Sequence, residues 1–228
     1  METKRPFRVF CVILAALSVC SAVYTVLQRA LIAMVERLAP SSIDLFLRGS
    51  SLAQLLLFIA GTGVCLVCAA LFSRGRLRAA LFVLAAGQGC ILSCNLLSTF
   101  IRAYSMQFSL AAALLSACCT LVGYGLLAHA VSELDLRVTG WLAAILTGAN
   151  QLCSALSVFS ALMMNAGSFA LWFTLFVQTA QVSSVLSIIA SVLQAFVFLL
   201  LLFAAQRAAA APALPTAPQQ DDNPPQES

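Results

Sequence analysis

"VSSVLSIIASVLQAFVFLLLLFAA" (Val182–Ala205) runs for 24 residues without one charged side chain. A helix of that length rises about 36 Å, more than the roughly 30 Å hydrocarbon core of a bilayer. Backbone N–H and C=O groups find no water in lipid, so a crossing segment must pair them internally, as a helix does. Five further apolar runs of similar length precede it: Phe7–Leu27, Leu52–Phe72, Ala79–Ile101, Phe108–Ala130 and Val138–Leu162. The whole chain agrees with them. Of its 228 residues 62% are hydrophobic and 9% are charged, and the mean hydropathy is +1.01. A soluble domain carries charge on about a quarter of its residues, so lipid is the solvent for most of this chain. The expected fold is an all-α polytopic transmembrane bundle over residues 1–207, with six spans and one or two short interfacial helices.

Lys and Arg in the short loops orient such a bundle. With the N-terminus inside, Lys4, Arg5, Arg8, Arg74, Arg76, Arg78, Arg137 and Arg207 lie on the inner side, and Arg29, Arg37, Arg48 and Arg102 on the outer. Both termini are therefore expected in the cytoplasm. Arg74, Arg76 and Arg78 form the densest inner cluster. The net charge of +4 is scattered, which gives no nucleic-acid face. The N-terminal "KRPFR" followed by "VFCVILAALSVC" has the layout of a signal peptide. Val19 before Cys20 is wrong for lipoprotein cleavage, though, and the apolar run continues beyond it, so an uncleaved first span is expected.

Two segments flank the spans. "LQRALIAMVERLA" (Leu27–Ala39) puts Leu27, Leu31, Met34, Val35 and Leu38 on one stripe and Gln28, Arg29, Glu36 and Arg37 on the other. It predicts an outer amphipathic helix over 28–39, at the headgroups or as a lid, ended by Pro40. "GSFALWFTLFVQTAQ" (Gly167–Gln181) is apolar but short and is interrupted by Gln178 and Gln181. It predicts an interfacial or re-entrant helix with Trp172 near the headgroups, or a seventh span. Residues 208–228, rich in Ala, Pro and Gln, predict a disordered cytoplasmic tail.

Nine cysteines, including Cys65 and Cys68 in a C-x-x-C spacing, all fall inside the spans. Zinc needs deprotonated ligands gathered at one depth, and disulfides belong in loops of an oxidising compartment. Neither pattern is present, so the thiols are taken as small apolar packing residues, with no cofactor expected. No Asp or Glu falls in a span core, which counts against proton coupling. The one histidine, His129, sits near the inner end of the fourth span. No G-x-S-x-G, H-E-x-x-H or Walker lysine motif is present, so no catalytic constellation is visible and an enzyme is not expected.

The uncharged polar residues say more. Gln88, Asn150, Gln151 and Gln194 are predicted near midplane, and Gln54 and Asn95 somewhat farther out at a shared level, using the helical rise. Amides left unpaired in hydrocarbon are costly. These should face inward, either as interhelical bonds or around a cavity for a small neutral or weakly polar ligand. Gly61, Gly63, Gly87, Gly89, Gly123, Gly125 and Gly148 are expected to let helices approach closely.

"ELDLRVTGWLAAILTG" (Glu133–Gly148) resembles a segment in an uncharacterised family of bacterial six-span integral membrane proteins, a domain of unknown function. In that family a short inner loop with Leu and Arg leads into a span with two spaced glycines. Leu136, Arg137, Gly140 and Gly148 match, while the proline common before that arginine is missing. "FLRGSSLAQLLLFIAG" (Phe46–Gly61) and "LLSTFI" (Leu96–Ile101) extend the likeness. The resemblance implies a fold without an assigned activity, and it transfers no functional residue. Cysteine usage and composition suit a bacterial inner membrane. Two functions fit: a small-molecule transport or substrate-capture component without its own energy source, or a structural or regulatory subunit that recognises a membrane protein partner.

Overall fold

The computed structural model describes residues 5–38, 49–50, 53–100, 106–130, 134–164 and 169–210. It is all-α. Helix α1 is Arg5–Leu38. A π-helical stretch, Gln54–Ala60, runs directly into α2, Gly61–Leu71. Then follow α3 (Gly75–Phe100), α4 (Met106–Ala130), α5 (Leu134–Met163) and α6 (Phe169–Ala210). Five of these are long and apolar enough to cross a membrane, and Leu56–Leu71 is a shorter apolar helix. Among the described residues, that shorter apolar helix is what lies within the second expected span, Leu52–Phe72. The chain is an integral, multi-pass membrane protein by helix length and hydropathy.

The helices close into a ring in chain order. Each packs against its sequence neighbours and α6 returns to α1, with no contact between helices on opposite sides of the ring among the described residues. Large apolar side chains point outward all around it, among them Val12, Val64, Leu115, Ile145 and Phe196. In water that surface would aggregate; against acyl chains it is the expected one.

Both expected flanking helices are corrected. Residues 28–38 are the last turns of a continuous 34-residue α1, not a separate interfacial helix. From Phe169 the segment 167–181 is likewise the start of a 42-residue α6. Such helices are about 51 Å and 63 Å long by their rise, so both project well beyond a hydrocarbon core. An amphipathic stripe arises equally when a helix lies on headgroups or when one face lines a polar interior, and here it is the interior. The position of Pro40, and the tail from residue 211 on, lie outside the described residues.

Small residues set the closeness of α3, α4 and α5. A Cβ at Gly123 would stand 2.6 Å from Leu84 Cγ, one at Gly148 2.8 Å from Leu121 Cδ2, and one at Gly140 3.0 Å from Ala128 Cβ. The two spaced glycines of α5 are therefore explained by contact with α4. Helix α3 passes through Gly87–Gly89 without a break. Gly75, with φ at 63°, makes the left-handed step from the α2–α3 turn into α3, a conformation that glycine adopts without strain.

Candidate functional site

The ring has two unlike halves. At the end where α1, α5 and α6 place Phe7, Leu14, Leu136, Phe198 and Leu201, with Leu66, Leu81 and Leu127 from the other three helices, the interior is packed shut by a continuous apolar core. At the other end it opens into a cavity of about 690 Å³ lined by α1, the π-helical stretch and α3 to α6, within the size range of small-molecule sites.

The boundary is one helical turn thick. Leu84 belongs to the core and Gln88, four residues on, lines the cavity; Ala144 gives way to Thr147 on α5, and Val197 to Gln194 on α6. Residues three or four apart share a helix face, so on each of these helices one inward face changes from apolar to polar. Gln194 Nε2 donates to Thr147 Oγ1 at 3.2 Å, and together with Gln88 these groups form the cavity floor.

All six polar residues picked out in the sequence line this one cavity: Gln54 at the start of the π-helical stretch, Gln88 and Asn95 on α3, Asn150 and Gln151 on α5, and Gln194 on α6. They divide by partner. Asn150 Oδ1 accepts from Ser183 Oγ at 2.9 Å, and Ser183 and Ser154 hydroxyls lie 3.1 Å apart. Below the rim, Ser157 and Thr179 hydroxyls lie 2.8 Å apart. With Gln194–Thr147 these bonds couple α5 to α6. Asn95 Nδ2 donates to Ile91 O at 2.9 Å in its own helix. None of the side-chain hydrogen bonds among the described residues involves the Gln54, Gln88 or Gln151 amide, and all three line the cavity. Such groups need water or solute.

Two further sets of lining residues go beyond the sequence candidates. One is the seryl face of α6, Ser183, Ser187 and Ser191, legible in hindsight as hydroxyls every fourth residue of "SSVLSIIAS". The other is the polar stripe of α1, Thr25, Gln28 and Arg29. Gln28 Nε2 donates to Ser50 Oγ at 3.1 Å and Tyr24 Oη to Ser50 O at 2.7 Å, fastening α1 to the chain ahead of the π-helical stretch. π-Helical turns are rare and recur at functional sites; this one presents Gln54 and Ile59 to the cavity.

The other sequence candidates lie elsewhere. Arg74, Arg76 and Arg78 are exposed at the closed end, and the Arg78 guanidinium lies 5.6 Å from the centre of the Phe82 ring. His129 meets the edge of Trp141 at 5.8 Å, outside the cavity lining. Trp172 meets Phe159 edge-on at 5.8 Å, tying the first turns of α6 to α5. The nine cysteines are spread over the bundle, with Cys11 and Cys94 buried. Among the described residues no three of His, Cys, Asp and Glu come together to hold a metal ion.

No family model, curated protein or solved structure matches this chain.

Proposed function

We propose that this protein captures a small polar solute in the cavity between its six helices, as a binding or transport component without its own energy source. The supporting observation is the set of three amides, Gln54, Gln88 and Gln151, that have no hydrogen-bond partner among the described residues, in a polar cavity closed at one end by an apolar plug. Amides used only to hold helices together would all be paired, as Asn150 and Gln194 are. The excess of Lys and Arg in the loops of the closed end supports a cytoplasmic plug with both termini on that side, and hence a cavity that faces outward. Passage of solute then requires the plug to part.

The paired and unpaired amides give the test. In lipid nanodiscs, thermal shifts would be measured with a panel of small sugars, polyols and carboxylates. Gln88→Leu and Gln151→Leu are expected to keep the unfolding midpoint near wild type and to abolish any solute-induced shift. Gln194→Leu is expected to lower the midpoint itself, by loss of an interhelical bond of about 0.6–2 kcal/mol. If Gln88→Leu and Gln151→Leu destabilise as much as Gln194→Leu does, and no solute shifts the wild type, the cavity is structural.

The alternative, a subunit that recognises a membrane protein partner, draws support from the exposed basic cluster Arg74, Arg76 and Arg78 at the closed end. Photocrosslinking from Arg76 that captures lipid alone would count against it.

A further inference from the structure

Among the described residues that line the cavity, Arg29 is the sole charged one, and no carboxylate faces it. The guanidinium forms no ion pair with any of the described residues, and it sits three to four residues from Thr25 and Ile32, which line the same wall. Every other polar side chain among the described lining residues is an amide, a hydroxyl or the Cys94 thiol. Arg29 is exposed at the cavity wall, and a positive charge bordering a cleft focuses its field into that space. A guanidinium also presents parallel N–H donors that match a carboxylate or another planar or tetrahedral oxoanion.

From this juxtaposition we infer that the cavity selects small organic monoanions, with Arg29 as the anchor for the negative group and the Gln54, Gln88 and Gln151 amides as partners for an uncharged polar body. The inference rests on the solute-capture reading and narrows it. Among the described lining residues, a cationic solute meets a like charge with no carboxylate beside it, and a second negative charge on the solute finds no counterpart. Hydroxyls or amides on the solute, by contrast, find donors and acceptors down to the cavity floor. Arg29 lies near the open end, so an anion meets it first and its polar body points inward.

Charge-selective thiol labelling tests this whatever the natural solute is. In a Cys94→Ala background, Ser187→Cys places a reactive thiol on the α6 wall of the cavity. Membrane-impermeant thiosulfonates of similar size, one carrying a sulfonate and one a trimethylammonium group, are then compared in phosphatidylcholine nanodiscs. Each rate is normalised to the reagent's rate on a free small-molecule thiol. The expected result is at least a fivefold preference for the anionic reagent, reduced by added salt, removed by Arg29→Gln and retained by Arg29→Lys. Gluconate is expected to slow the labelling more than sorbitol, its uncharged counterpart.

Equal normalised rates in the wild-type Arg29 background, or a preference that Arg29→Gln leaves intact, overturn the anion selection. Solute capture survives either result. Equal rates are also the outcome if a lipid phosphate neutralises the guanidinium. If neither reagent modifies Ser187→Cys, the cavity admits no solute and the capture reading falls with the inference.

Discussion

Gly87 and Gly89 stand two residues apart in α3 and look alike in the sequence. Their surroundings differ. A Cβ at Gly87 would lie 3.1 Å from Cys119 Cβ, whereas one at Gly89 meets nothing within 4 Å. Glycine in a helix interior costs about 0.5–1 kcal/mol relative to alanine, so Gly89→Ala is expected to stabilise the protein by about that amount. Gly123→Ala should do the reverse. Its added carbon would fall 2.6 Å from Leu84 Cγ and 3.2 Å from the Leu84 backbone nitrogen, and overpacking of this kind costs about 1–3 kcal/mol. Reversible unfolding in mixed micelles reads both signs. Equal effects at the two positions would mean that α3 and α4 are not in this register. The sequence shows that these glycines lie inside spans. Which of them touches a neighbour depends on helix rotation, and an apolar run with small residues on several faces does not encode that. The inward amides are legible for the opposite reason: a polar group in an oily segment has few places to go.

At the scale of the element, α1 carries the correction with the most consequence for function. Its outer stripe, Leu27, Leu31 and Met34, is exposed, while Thr25, Gln28 and Arg29 line the cavity. The apolar/polar split is visible in the sequence, but a lone segment points it to the bilayer surface, because the partner helices that supply a polar interior are not in local view. A proline distinguishes the two arrangements. Ala30 is exposed, so its replacement meets no packing obstacle. In a separate helix starting near Gln28, proline at that first-turn position would be tolerated. Within a continuous helix it removes a backbone hydrogen bond and clashes with the preceding turn, at a cost of about 3 kcal/mol. Ala30→Pro is expected to lower the unfolding midpoint strongly and to weaken solute binding together with it. A midpoint equal to wild type would place a hinge at that point. The start of α6 has the same logic. Gln178 and Gln181 interrupt the apolar pattern, yet the helix continues through them, held by the Thr179 bond to Ser157 and by Trp172 on Phe159.

For the molecule as a whole, the ring order ties the polar cavity to its apolar floor. Six helices in alternating directions bring the start of α1 and the end of α6 to the same end of the bundle, where Phe7 and Leu14 share one core with Phe198, Leu201 and Ala205. Span direction is legible from the loops, because alternation follows from short connections. Ring closure is not, since pairing of the first and last helices depends on contacts that no local pattern records. Among the described residues no helix crosses the middle of the ring to brace it, so the core residues both hold the helices together and block the path from the cavity. Phe198, 2% exposed, is among the largest of them. Truncating a buried phenylalanine costs about 3–5 kcal/mol and leaves a void that neighbours fill only in part. Phe198→Ala is therefore expected to lower the unfolding midpoint and, in proteoliposomes with an entrapped pH-sensitive dye, to raise the proton leak above that of wild type. Substitution by leucine should restore most of the seal. A variant that loses stability but stays as tight as wild type would separate the two roles and locate the barrier higher, at the Gln88, Thr147 and Gln194 floor.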